Sequence, residues 1–188
     1  RMRVLVACEE SQAVTVEMRR LGHEAYSCDI QECSGGHPEW HIQDDVLKIL
    51  GGGWDLIIAH PPCTYLCKVS SVKMVKDGKV DPERYAKMME AREFFYRCLG
   101  AKAPYVAVEN PLPMARAQLP EPSCFIHPSW YGVKYTKKTL FWLKNLPPLM
   151  PEIINPDAKC FVRASRGKYR SRTFPQVAEA IAKQWGTF

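Results

Sequence analysis

The most reactive candidate group in the sequence is the thiol of Cys63, which follows two prolines at the end of an apolar run. A thiolate is a strong nucleophile that can also leave again, so a cysteine held in a rigid turn suits covalent catalysis. Pro61 and Pro62 restrict the backbone just before it and remove two hydrogen-bond donors. A free thiol has a pKa of about 8.5, so activation requires nearby positive charge or a helix terminus. The alternative is an inert buried thiol, as most cysteines are.

Other polar residues share this placement, because they fall where strand-like apolar runs end. The alternation of strands and helices predicts an α/β fold, a mostly parallel sheet with helices on both faces. Ligands bind to such sheets beyond the carboxyl ends of the strands. The sequence therefore predicts one site that contains Cys8, Glu9, Glu10, Asp29, Asp45, Cys63, Glu109 and Asn110.

The elements that position these side chains are indicated by apolar periodicity and by turn residues. A basic segment with an Asp77-Gly78 turn is expected to be a mobile loop. The sequence predicts strands at residues 3–8, 23–30, 54–59, 105–108 and 138–143, helices at 11–21, 82–99 and 175–185, and this loop at 67–81.

Length and composition restrict the class of protein. The 188 residues suit one domain, and 46% hydrophobic with 24% charged residues is typical of a globular chain. There is no run of the ~18 apolar residues that a membrane span requires. Eight cysteines without a signal-peptide pattern favour reduced thiols, so we expect a soluble protein in the cytoplasm. The net charge of +6 fits a polyanionic partner, although many proteins of this charge bind no nucleic acid.

Four segments, in chain order, resemble motifs of the DNA cytosine-5 methyltransferases. His60-Pro61-Pro62-Cys63 resembles their Pro-Cys nucleophile loop, and Glu109-Asn110-Pro111 resembles their Glu-Asn motif. Tyr131-Gly132-Val133 with the downstream Lys137 is similar to their Tyr-Gly-Val segment, and residues 175–182 are similar to their C-terminal helix. Each segment is weak evidence alone, but four in this order are fairly specific. The chain resembles a short, phage-like form of the family.

This resemblance implies a Rossmann-like methyltransferase fold and methyl transfer to carbon 5 of cytosine in DNA. Carbon 5 is a poor nucleophile, and addition of the Cys63 thiolate at carbon 6 would activate it. Glu109 would protonate or hydrogen-bond ring nitrogen N3. Asn110 would shape the loop, and Lys137 would contact the base carbonyl or a phosphate.

The implied cofactor is S-adenosylmethionine, held by the first loop and by two later acids. Asp29 would bind a ribose diol, and Asp45 would lie near the adenine amino group. Glu9 and Glu10 would face the ammonium group, while the loop that follows meets the carboxylate at a helix N-terminus. Each acid could alternatively be a solvated cap or turn residue. The cofactor set implied by the resemblance is Glu9, Glu10, Ser11, Gln12, Asp29, Asp45 and Pro61.

The chain departs from the family pattern in three places. The first loop, residues 7–13, lacks glycine, which should hinder close backbone approach to a cofactor. Lys137 and Thr139 stand where the family has paired arginines. The segment before the terminal helix is too short for the usual target-recognition insert. We therefore expect residues 1–188 to form a single methyltransferase-like catalytic domain without a separate target-recognition domain.

Two further patterns leave alternatives open. A set of thiols and imidazoles, Cys28, Cys33, His37 and His41 with Cys63 and Cys67, could hold zinc, although structural zinc sites usually have tighter paired spacings. The lysines of the 67–81 segment and a basic stretch near the C-terminus could follow a phosphate backbone, or could simply be solvated surface charge. The lysines are Lys68, Lys73, Lys76 and Lys79, and the stretch contains Arg163, Arg166, Lys168, Arg170 and Arg172, with Tyr169 between.

Four functions are compatible with these features. The favoured one is a DNA cytosine-5 methyltransferase in a bacterial or phage-infected cell. The second keeps the chemistry but acts on a free pyrimidine nucleotide, since the recognition insert is missing. The third is an amino-methyltransferase, in which Cys63 would replace a stacking aromatic residue and Glu109 would have no role. The fourth is a non-catalytic nucleic-acid-binding module that keeps the methyltransferase fold.

Overall fold

The computed structural model describes residues 1–161 and 171–187. The α-helices are α1 (Ala13–Arg20), α2 (Pro82–Leu99) and α3 (Pro175–Trp185). The strands are β1 (Arg3–Ala7), β2 (Glu24–Asp29), β3 (His41–Gln43), β4 (Leu56–Ala59), β5 (Val75–Lys76), β6 (Lys79–Val80), β7 (Tyr105–Asn110), β8 (Cys124–Ile126), β9 (Tyr135–Thr136), β10 (Thr139–Lys144) and β11 (Lys159–Cys160).

In the described part of the chain, seven strands form one sheet in the order β3-β2-β1-β4-β7-β10-β8. The first five are parallel, and β10 runs antiparallel to both of its neighbours. From β1 the chain adds β2 and then β3 on one side of the sheet, and it then crosses to the other side of β1 to form β4. Parallel sheets of this order bind ligands where the direction of strand addition reverses, which in this sheet is between β1 and β4.

Helices cover both faces of the sheet, so the predicted fold class is confirmed. Helices α1 and α3 pack together on one face, where Met18, Ile181 and Trp185 are fully buried. Helix α2 covers the other face through Met88 and Phe95. Strands β1 and β4 are buried on both sides, because apolar branched side chains point to each face in turn.

The register of the central strands brings three chain segments together at the carboxyl edge. Ala7 pairs with Ala59, and Ala59 pairs with Val108. The next residues along β1, β4 and β7 are therefore neighbours at the edge, namely Cys8, His60 and Glu109. Because this edge is also the switch point, the fold gathers the chemically active residues where a ligand would bind.

Residues 67–81, predicted to be a mobile loop, contain regular structure that was not predicted. Lys68–Lys73 is a 3-10 helix, and β5 and β6 form a two-stranded hairpin. The hairpin turns at Asp77 and Gly78, which have positive φ angles of 50° and 75°. Met74 is only 2% exposed and fixes the segment to the core. A single buried side chain and a two-residue turn thus give this polar segment a defined fold.

A helix that crosses a membrane must be both long and apolar. Among residues 1–161 and 171–187, no helix meets both requirements.

Candidate functional site

The centre of the site is a hydrogen bond between His60 and Glu109, which follow β4 and end β7. His60 Nδ1 lies 2.8 Å from Glu109 Oε2, and the two side chains are 9% and 19% exposed. On its other side, His60 Nε2 lies 3.9 Å from Oε2 of Glu9, whose side chain is buried. One imidazole therefore lies between two acids that come from the strands on either side of β4.

The ionisation of these groups follows from their contacts. Burial opposes charge on His60, but the hydrogen bond and charge of Glu109 and the charge of Glu9 raise the pKa of His60 above its ordinary value. Burial also opposes charge on Glu109, but His60 and the charge of Lys137 lower the pKa of Glu109. The resting pair is therefore an imidazolium beside a carboxylate.

Cys63 lies in the turn after the two prolines, and its thiol contacts the thiol of Cys67. Cys67 N donates to Cys63 O over 3.0 Å, which closes one turn and brings the two side chains to the same face. Cys67 Sγ also lies 3.5 Å from Ser70 Oγ. The hydrogen bond from Cys63 lowers the pKa of Cys67 to about 5, although burial opposes this.

The same contact has the opposite effect on Cys63. Hydrogen bonding to Cys67, burial and the charges of Cys67 and Glu109 raise the pKa of Cys63, while the charge of Lys137 lowers it. At rest the negative charge of the pair belongs to Cys67, and Cys63 keeps its proton. Transfer of that proton to Cys67 would leave the Cys63 thiolate beside a neutral neighbour.

Alkylation of Cys67 by iodoacetamide is expected to be nearly independent of pH. An ordinary thiol gains thiolate as the pH rises, so its rate increases about 20-fold between about pH 6.5 and about pH 8. Cys67 is already ionised over this range, because its pKa is lowered to about 5. Peptide mass spectrometry of partly labelled protein measures the rate, and Cys67→Ser removes the signal. A steep rise in Cys67 labelling with pH would show that the charge does not rest there.

Asn110 connects the turn before Cys63 to the end of β7. Its Nδ2 donates to Pro61 O over 2.8 Å and to Glu109 O over 3.1 Å, and the residue is 1% exposed. Pro61 is itself buried. Asn110 thus holds the backbone two residues before Cys63, which gives it the geometry of a loop-shaping residue.

Replacing Asn110 with alanine is expected to lower the free energy of unfolding by about 1–3 kcal/mol. A buried carbonyl that loses its donor costs about this much, because it cannot recover a water partner. Urea unfolding measures the change. Asn155→Ala, which removes a hydrogen bond to Asp157 N in an exposed turn, is the control and should cost less. Equal costs for the two variants would mean that the Pro61 contact contributes little.

Two buried side chains of the first loop form hydrogen bonds to the protein's own backbone. Glu9 is 4% exposed and caps α1, accepting from Val14 N at 2.9 Å and from Thr15 N at 3.1 Å. Burial raises its pKa, although His60 and the capping donors oppose this. Gln12 is fully buried and exchanges hydrogen bonds with the backbone of His37, at 2.8 and 3.0 Å. Their expected contacts with a cofactor stay predictions.

The glycine-free loop nevertheless has a backbone conformation that glycine favours. Cys8 and Gln12 have φ angles of 61° and 60°, in the left-handed region. The close approach expected of glycine is made by Gly35, where an added Cβ would lie 2.4 Å from Ser11 O. The loop therefore forms a tight turn without glycine, and Gly35 of the neighbouring segment allows that segment to pack closely against it.

The remaining predicted cofactor residues lie around this loop. Glu10 forms an ion pair with Arg172, whose Nε is 3.2 Å from Glu10 Oε1. Asp29 ends β2, and its Oδ1 accepts from Gln31 N over 2.9 Å. Asp45 caps a short 3-10 helix by accepting from Leu47 N over 2.9 Å. The acids thus lie at the ends of neighbouring strands, and Asp45 also serves as a cap.

Lys137 and the terminal helix complete the site. They line a small cavity of about 30 Å³ next to the histidine–glutamate pair, with room for roughly one water molecule. The cavity is lined by His60, Glu109, Ile126, Pro128, Lys137, Thr139, Phe141, Thr173, Phe174, Val177 and Ile181.

The alternative zinc ligands are engaged elsewhere. Cys28 Sγ donates to Asp44 O over 3.4 Å, and His37 stacks on Trp40 with ring centroids 4.0 Å apart. His41 lies between Ser27 Oγ and Gln31 O, at 2.8 Å from each. Within the ranges 1–161 and 171–187, no three His, Cys, Asp or Glu side chains group closely enough to hold a metal ion.

The predicted basic surfaces are described only in part. Lys68, Lys73 and Lys79 are exposed, whereas Lys76 pairs with Asp81 over 2.9 Å. Of the C-terminal basic stretch, Arg172 contacts Glu10. Arg163, Arg166, Lys168, Tyr169 and Arg170 lie outside the described residues.

Comparison with known proteins bears on the fold. No protein-family model matches the chain, and no curated protein matches it. Among solved structures it is similar to a prophage-encoded protein of E. coli described as a DNA modification methyltransferase. The TM-score is 0.51 at 17% identity, over 81% of this chain and 51% of that one. This chain has a Rossmann-like methyltransferase fold. It spans about half the length of the E. coli protein.

Within this methyltransferase fold, sequence reasoning missed two residues of the site. The sequence marks His60 only as part of a motif, although a histidine directly after a central strand must lie beside Glu109 once β4 and β7 are paired. It marks Cys67 only as a possible zinc ligand. The signal for Cys67 was its four-residue spacing from Cys63, which places two side chains on one face of a helical turn.

Proposed function

We propose that the protein is an S-adenosylmethionine-dependent DNA methyltransferase that modifies carbon 5 of cytosine through a covalent bond to Cys63. The observation that carries this proposal is the connection between the two halves of the site. Asn110 holds the backbone just before Cys63 against the strand end that bears Glu109. A nucleophile and an acid are thus fixed relative to each other, as attack at carbon 6 with proton donation to N3 requires.

Each protein group has a defined task in this reaction. Cys63 passes its proton to the Cys67 thiolate as its sulfur bonds to carbon 6, while Glu109, in its protonated form, gives a proton to N3. S-adenosylmethionine, when bound, supplies the methyl group that carbon 5 accepts. A base then removes the proton from carbon 5, N3 returns its proton to Glu109, and the bond between carbon 6 and Cys63 breaks to restore the aromatic ring and the thiolate. Lys137, whose charge lowers the pKa of Cys63, stabilises the anionic forms of this site.

The residues around the first loop fit the cofactor in part. Asp29 suits a ribose diol, because Oδ2 has no hydrogen-bond partner among residues 1–161 and 171–187 while Oδ1 is held by Gln31 N. The left-handed backbone at Cys8 and Gln12 gives the tight turn that close approach to a ligand needs. Ser11 and Pro61 flank this turn and the end of β4. Glu10 would have to exchange Arg172 for the cofactor ammonium group.

DNA is the proposed substrate rather than a free nucleotide. The similar E. coli protein is described as a DNA modification methyltransferase. The exposed Lys68, Lys73 and Lys79 follow the nucleophile in sequence and could contact phosphates. We propose that residues 1–188 form a single catalytic domain without a target-recognition insert before α3, so these residues should discriminate only weakly between sequences.

The test is transfer of labelled methyl groups to duplex DNA, to single strands and to cytidine nucleotides over a series of salt concentrations. Contacts with several phosphates make DNA binding fall steeply with salt, whereas a nucleotide engages few charges. Transfer to DNA of varied sequence, weakened by salt, would support the proposal. Transfer to nucleotides alone would overturn the DNA assignment and leave the Cys63 chemistry in place. Strong activity on one short sequence would contradict weak discrimination.

One observation favours a second candidate, a nucleic-acid-binding module without catalysis. Glu9 and Gln12 are both buried and hydrogen-bonded within the protein, so neither is available to a cofactor at rest. Calorimetry with S-adenosylmethionine separates the two functions. Binding that is weakened by Asp29→Ala supports the enzyme. DNA binding without cofactor binding would support the module.

A further inference from the structure

His60 lies at the centre of the site but has no task in the reaction proposed above. It follows β4, and its ring lies between acids from the strands on both sides, Glu109 at 2.8 Å and Glu9 at 3.9 Å. Its Nε2 is buried, and among the described residues it has no hydrogen-bond partner. A buried imidazole in contact with the proposed catalytic acid can affect both where that acid points and when it carries a proton.

We propose that His60 is a positioning residue that holds Glu109 through Oε2, so that Oε1 faces the target ring, and that its charge sets the pH range of proton donation to N3. This inference rests on the proposed function. Nδ1–H donates to Oε2 and fixes the rotation of the carboxyl group. The proton that reaches N3 leaves from Oε1, and the remaining carboxylate keeps its hydrogen bond to His60.

Three charged groups face this imidazole from the elements packed around it. Glu109 and Glu9 favour its cationic form, and Lys137 opposes it. The cation in turn lowers the pKa of Glu109 against the effect of burial. It therefore makes Glu109 a stronger acid and stabilises the carboxylate that proton donation leaves behind. Without it, burial dominates and the pKa of Glu109 rises.

The sign of the pH effect follows. Donation to N3 needs a protonated Glu109, so the reaction slows as the pH rises through the pKa of that carboxyl. A neutral donor at position 60 raises this pKa and moves the alkaline limb of the rate profile to higher pH. Asparagine is such a donor, because its side-chain amide can take the place of Nδ1–H but does not titrate.

The experiment measures covalent capture of DNA containing 5-fluorocytosine, with cofactor present, from about pH 3 to about pH 9, because the lowered pKa of Glu109 places the wild-type limb in acid. His60→Ala should slow capture by at least about 10²-fold, the lower end of what a positioned acid contributes. His60→Asn should recover most of the rate and move the alkaline limb upward. His37→Asn is the matched control, since His37 forms an exposed pair with Glu39 at 3.0 Å and should leave the profile unchanged.

The outcomes separate this inference from the proposed function. Suppose that the wild type captures DNA. If His60→Ala captures at the same rate, or if the pH–rate profiles of wild type and His60→Asn superimpose, only the role of His60 is overturned. If wild type captures no DNA, the proposed function fails. The link between the two side chains is then tested by carboxyl NMR of the Glu109 resonance, assigned with Glu109→Gln. Its pKa should rise in His60→Asn, and an unchanged titration would refute the inference.

Discussion

Replacing Cys63 with alanine is expected to abolish methyl transfer to cytosine while leaving the fold intact. The loss should exceed the ~10²–10⁴-fold that a general acid contributes, because the group that forms the covalent bond to carbon 6 is removed. Little stability should be lost, since Cys63 is only partly buried and removing its thiol opens no core cavity.

Labelled methyl transfer and urea unfolding measure the two effects separately. Cys160→Ala is the matched control, because Cys160 is an exposed thiol in β11. It should behave as wild type in both measurements. An active Cys63→Ala protein would exclude the covalent mechanism, and an unfolded one would indicate a structural role for this residue.

Replacing Glu109 with glutamine is expected to lower turnover by about 10²–10⁴-fold, since an amide cannot give a proton to N3. The free energy of unfolding should fall by a much smaller factor than turnover does. The lowered pKa of Glu109 contributes stability that is present at neutral pH and is lost as the pH falls through that pKa. Glutamine lacks this contribution, so the stability of wild type and variant should converge in acid.

Turnover and unfolding across pH test both expectations. Glu90→Gln, on the exposed side of α2, is the control for loss of a carboxylate and should change neither quantity much. Full activity in Glu109→Gln would remove this residue from the mechanism. A stability difference that stays constant into acid would show that the ion pair with His60 does not form.

The sequence was most informative where local pattern and tertiary fold agree. Apolar runs predicted β1, β4, β7 and β10, a segment after Gly22 that ends in an acid predicted β2, and the Pro82 start predicted α2 from its first residue. The placement of polar residues at strand ends followed from these elements. Very short strands such as β8 and β9 have too few residues to show an alternating apolar pattern, so the sequence did not predict them.

Contacts between distant segments explain what the sequence could not provide. The acid at position 9 reads as exposed and functional, yet it folds back to cap α1 only because β1 and the helix are packed together. The glycine expected in the first loop is supplied by Gly35, which lies far along the chain. His60 could be identified as a partner of Glu109 only once the pairing of β4 with β7 was known.

Intact-mass spectrometry of the protein with cofactor and 5-fluorocytosine DNA tests the central claim most directly. Fluorine at carbon 5 cannot leave as a proton does, so the bond between Cys63 and carbon 6 should persist. Wild type is expected to gain the mass of one oligonucleotide and one methyl group, and Cys63→Ser is expected to gain neither. A complex that forms equally well on Cys63→Ser, or none on wild type that binds both DNA and cofactor, would contradict Cys63 as the nucleophile.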